Sequence, residues 1–165
     1  MLSDEAGESP DPAADDKRLI GYANELADGV QAALPDWVAA SVAKRFDGPV
    51  PAAVREQALH AGQEAAVDVG GRVRELLNLD IDEQWTNPLT LIRTAILYPS
   101  RILAEANVPA VVRDEETTRF HPDDVYDLTP ASFADLGQNV HDLGISWGAA
   151  KAHVHLRRRR QEEVS

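Results

Sequence analysis

The sequence has 165 residues and a formal net charge of -12, with 44% apolar and 27% charged residues. That length suits one domain able to bury a core without staples, and the charge argues against a phosphate backbone as partner. Cysteine is absent, which excludes a disulfide framework, thiolate metal sites and thiol nucleophiles.

The chain starts with an acidic segment. Residues 1 to about 15 carry Asp4, Glu5, Glu8, Asp11 and Asp15 with Gly7, Pro10 and Pro12, and are expected to be a disordered tail. A signal peptide needs a basic start and an apolar run, and neither is there. No stretch approaches the roughly 20 apolar residues of a membrane span. A cytoplasmic protein without a membrane partner is expected.

A first helix is predicted from Lys17 to Leu34, capped by Asp15 or Asp16, because Leu19, Tyr22, Leu26, Val30 and Ala33 recur at helical spacing. Pro35 should end it and open a short second helix to Phe46. Asp47-Gly48-Pro49 reads as a turn. The third helix, from Pro51 to Leu79, places Val54, Ala58, Ala61, Ala65, Val69, Val73 and Leu76 on one side. Small residues at Ala58, Ala61, Gly62, Ala65 and Ala66 should let a neighbouring helix approach closely. Gly70-Gly71 predicts a kink or break, because each glycine costs about 1 kcal/mol against alanine inside a helix.

Asn87-Pro88 signals another helix start, interrupted at Tyr98-Pro99 and continued to Ala106. Val108 to Arg113 is a weak strand candidate, and Asp114 to Leu128 should be irregular. Thr129-Pro130 predicts a short helix through Phe133 and Leu136. A final helix is expected from Gly144 to Arg160, with Gln161 to Ser165 frayed. The expected fold is all-α: a compact bundle of about five to seven helices over residues 16–160, behind the disordered acidic tail.

Several phrases occur together: Pro35-Asp36-Trp37-Val38, Asp80-Ile81-Asp82-Glu83-Gln84, Asn87-Pro88-Leu89, Tyr98-Pro99, the run His121 to Leu136, and Trp147 to Lys151. The set resembles a family of small uncharacterised actinobacterial proteins, over roughly residues 34 to 160. The resemblance implies no activity, cofactor or catalytic residue.

Five constellations bear on function. His60, Glu64 and Asp68 are spaced to share a helix face, where two of them could hold a divalent metal, yet they lie opposite the apolar stripe, where a solvated face belongs. His121, Asp123, Asp124 and Asp127 are weak candidates for metal ligands in a loop; the plainer reading is that Asp123 and Asp124 cap a helical turn. His153 and His155, with His141, cannot share one site, because residues two apart on a helix point about 200° apart. Arg157, Arg158, Arg159 and Arg160 can bind phosphates or acidic proteins, but they also complement a helix C-terminus and have the chain's own acidic start as a partner.

The final helix is the fifth. Ile145, Ala149, Ala152 and Leu156 form one apolar stripe, and Trp147, Ala150 and Val154 a second about 180° away, flanked by Lys151 and His155. Such a helix is either sandwiched in the core or half-buried with one face left for a partner. The second stripe, with Lys151, His155 and the four arginines, is the expected partner-binding face. No phosphate loop or dinucleotide fingerprint occurs, and Ser132 and Ser146 sit in no nucleophile-elbow context.

The sequence therefore predicts a non-enzymatic helical protein that binds another protein or itself, with no cofactor. A metal-dependent enzyme using the 121–127 loop is the first alternative. A regulator touching nucleic acid through the arginine block is the second.

Overall fold

The computed structural model describes residues 12–79, 85–111, 124–128, 130 and 132–164. Most of these are helical, with no strand among the described residues. Among the described residues the chain forms four helical rods: α1 (Pro12–Ala43), α2 (Ala52–Leu79), α3 (residues 89–105) and α4 (Gln138–Val164). The expected five to seven helices are not matched among the described residues.

Helix α1 begins with Pro12, ahead of the predicted start, so Asp15 and Asp16 lie inside it rather than capping it. Proline suits a first helical turn, where its missing N–H has no partner to lose. The rest of the predicted tail, residues 1–11, lies outside the described residues. The helix then runs through Pro35 without ending, and the two predicted helices are one. An interior proline removes a backbone hydrogen bond. Burial offsets the loss: Leu26, Val30, Leu34 and Val38 form one fully buried stripe that continues across the proline.

Helix α2 packs along α1 as its small residues predict. A Cβ placed on Gly62 would lie 2.8 Å from Pro35 Cα, so the backbones meet there. The break expected at Gly70-Gly71 does not form. Helix α2 is unbroken, and Gly70 instead makes room for the side chain of Gln31. That side chain is held on both sides: Gln31 Nε2 donates to Ala66 O at 3.1 Å, and Arg74 donates to Gln31 Oε1 at 2.7 Å. The same guanidinium pairs with Asp28.

Helix α3 opens as the Asn87-Pro88 signal predicts, with Leu89 N donating to Asn87 Oδ1 at 3.1 Å. It is built from α-helix at Leu89–Arg93, a 3-10 turn at Thr94–Ile96, and α-helix at Leu97–Glu105. The tightened turn falls just before Pro99, which then sits in the first turn of the last piece. Asn107, with φ 61, ends the run. The strand expected over 108–113 is not present among its described residues; Val111 N makes a bond of 2.8 Å to Val125 O.

The short helix expected after Thr129-Pro130 is a 3-10 turn, Phe133–Leu136, and Ser132 is its cap. Asp135 Oδ2 accepts from Ser132 N at 2.8 Å, which is the reciprocal half of a capping box. Helix α4 starts at Gln138, earlier than predicted, and continues past Arg160 to Val164. Helix α1 is central: it packs on α2, on α4 and on α3. The main core gathers Leu26, Val30, Val69, Val73, Ile92, Trp147 and Val154, and a smaller cluster gathers Val42, Ile102, Leu103 and Tyr126.

Candidate interaction surface

Helix α4 has two apolar faces and the core takes one. Trp147 is 8% exposed and Val154 is fully buried, with Ala150 packed beside them. Val140 and Leu143 extend the same face toward the helix start. This corrects the expected orientation: Trp147, Ala150 and Val154 pack into the core rather than outward, with an edge of Trp147 lining a groove beside Lys151 and His155. Lys151 is buried with them, its Nζ 5.1 Å from the centroid of the Trp147 ring. Close approach of this helix depends on two glycines. A Cβ on Gly144 would collide with the Phe133 ring, and one on Gly29 would touch Leu143.

The other stripe faces outward. Ile145 is 59% exposed and Leu156 is 53% exposed, with Ala149 and Ala152 exposed between them. Shallow grooves flank it. Ala152, Leu156, His155 and Arg159 line one, and Ile145, Ala149 and His153 line the other.

The arginine block divides in two. Arg157 Nε lies 3.2 Å from Asp15 Oδ2, and Arg158 donates to Asp16 Oδ1 at 2.8 Å. Arg157 is therefore a buried tie between α4 and α1, and Arg158 a half-buried one. Arg159 and Arg160 are exposed. The chain's own acidic residues are the partners of the first two, as one sequence reading expected. His153 adds a contact of 3.4 Å to Asp15. His155 and His141 are half-buried at separate places on the helix.

His121 and Asp123 lie outside the described residues. Asp124 is buried, and its Oδ1 accepts from Leu128 N at 2.6 Å, closing a turn. Asp127 is exposed on that turn at φ 57, and its carbonyl accepts from Arg45 at 3.4 Å. His60 pairs with Glu64 at 2.9 Å on the exposed side of α2, while Asp68 accepts from Tyr98 at 2.9 Å. Among the described residues, no three His, Asp or Glu side chains converge as a metal site. Among the same residues, no helix is long and apolar enough to cross a membrane.

Compared with protein-family models, curated proteins and solved structures, the chain matches none.

Proposed function

We infer that this chain works by protein–protein interaction, through the outward face of α4. One observation carries the reading: Ile145 and Leu156 are more than half exposed on a helix whose opposite face already fills the core. The fold does not need the outward stripe to be apolar. Exposed apolar side chains that share a helix face gain by being covered, at about 25 cal/mol per Å² removed from water. Helix-to-helix docking uses this spacing of anchors.

The expected partner is another protein or a second copy of this chain. Arg157 and Arg158 support this over a nucleic-acid reading, because Asp15 and Asp16 already neutralise them. The net charge of -12 points the same way.

A photoreactive side chain at position 145 or 156 of the full-length protein, activated in its own cell, tests the reading. One defined adduct is expected from both positions. None is expected from Leu59, which is as exposed but lies on α2. Equal labelling from Leu59, or no adduct from either α4 position, would remove the proposal.

A further inference from the structure

The outward stripe of α4 reads alike from either end. About a centre between Ala150 and Lys151, Ile145 corresponds to Leu156, Ala149 to Ala152, and Asp142 to Arg159. All six residues are exposed, and they fall within an arc of about 100° on the helix wheel. Their spacing alternates three and four, the repeat that keeps a seam facing a second helix. Large residues stand at the ends and alanines in the middle, so two such helices could approach closely where they cross.

We propose that α4 pairs with α4 of a second copy of this chain, antiparallel about a two-fold axis; this rests on the interaction reading above and names the partner. Ile145 packs on Leu156 of the partner subunit, Ala149 on its Ala152, and Asp142 meets its Arg159. The symmetry is the argument for a second copy, because a two-fold interface requires a surface complementary to itself. The charges fix the direction. Antiparallel pairing sets each aspartate against an arginine, whereas parallel pairing in register would set Asp142 on Asp142 and Arg159 on Arg159. Within one chain these two residues are about 26 Å apart along the helix, too far to pair. The seam is short beside the roughly 800 Å² per partner of a standard interface, so the dimer dissociates on dilution.

Sedimentation of the purified full-length chain across a dilution series tests this. A reversible monomer–dimer equilibrium is expected. Asp142→Arg alone and Arg159→Asp alone should each weaken it about tenfold or more by placing like charges together. The two changes in one chain should restore it. Circular dichroism on each variant keeps loss of fold distinct from loss of pairing. Direction is read by cross-linking, with no native cysteine to interfere. Ile145→Cys and Leu156→Cys chains should form disulfides when mixed and not alone, because like positions would lie about 16 Å apart along the axis. A single-chain mass at every concentration, a dimer indifferent to the charge reversals, or disulfides within one variant would each overturn the proposal. If the purified chain is monomeric and the photoreactive protein captures a different molecule, self-pairing fails and the interaction reading stands. If neither self-pairing nor capture occurs, both fail.

Discussion

Arg157 Nε lies 3.2 Å from Asp15 Oδ2, and the two side chains are only 8% and 9% exposed. The pair ties the first turn of α1 to the end of α4. It is a charge contact without a well-aligned hydrogen bond: among the described residues, Asp15 Oδ2 and Arg157 Nε and Nη1 find no hydrogen-bond partner. Burying two charges costs as much as their attraction returns, so the pair adds little net stability, but removing one partner leaves the other buried with only a longer contact, Asp15 to His153 at 3.4 Å or Arg157 to Asp16 at 3.6 Å. Arg157→Leu should destabilise the fold by about 3 kcal/mol in urea denaturation, and Asp15→Leu should do the same. The double variant should recover most of that loss. Additive single losses would show that the two residues act separately.

Trp147 tests the orientation of α4. It lies in the core beside Val154 and Ala150. Trp147→Ala should cost about 3–5 kcal/mol by removing a large buried aromatic. Ile145→Ala, on the opposite face, should change the stability of the isolated chain by less than about 0.5 kcal/mol. Thermal melts of the two variants at a concentration where the chain is monomeric separate the faces, and a reversal of the two values would sink the assignment.

The same helix shows how far the sequence could be read. Both apolar stripes are legible in it, but not which one turns inward. The deciding residues are Val140 and Leu143, which lengthen the Trp147 stripe by two turns, whereas the Ile145 stripe is bounded by Asp142 and Arg159. A helix start placed at Gly144 hides them, because Gly144 reads as a boundary and is instead a site of close packing against Phe133. Pro35 misleads for a related reason. Its local cost is real, but the buried stripe from Leu26 to Val38 outweighs it. Of the expected caps, Asn87 at α3 acts as its position implies, whereas Asp15 lies inside α1 and Ser132 caps the turn at Phe133–Leu136. The pairing of Arg157 with Asp15 joins distant parts of the chain, and the sequence showed only that opposite charges were available.

Two glycines in α2 should respond in opposite directions. At Gly62 a Cβ would sit 2.8 Å from the Pro35 backbone, which cannot swing aside as a side-chain tip can. Gly62→Ala should therefore separate α1 from α2 and destabilise by about 1–3 kcal/mol. Around Gly71 a Cβ would meet nothing within 4 Å. Gly71→Ala should stabilise by about 0.5–1 kcal/mol, because alanine has less backbone freedom to lose and favours helix. Chemical denaturation measures both. Equal effects would mean that α1 and α2 do not meet at Gly62.

Tyr98 gives the fold a dependence on alkaline pH. Its hydroxyl donates to Asp68 Oδ2 at 2.9 Å, linking α3 to α2. Burial of the phenol, then that hydrogen bond and the charge of Asp68, hold its pKa above the ordinary tyrosine value, with Arg72 opposing. The folded chain thus keeps this proton at a pH where the unfolded chain has released it. The contribution to stability is fully present below the unfolded pKa and is lost as pH rises through the folded one. Stability should fall with pH above about 10, the ordinary tyrosine range, and Tyr98→Phe should fall less steeply over the same interval. Asp68→Asn should lower the Tyr98 midpoint by removing the neighbouring anion. Phenolate absorbance, taken as the difference between the unaltered chain and Tyr98→Phe, reads that midpoint directly. A midpoint at or below the ordinary value in the unaltered chain would show that the bond to Asp68 does not hold the proton.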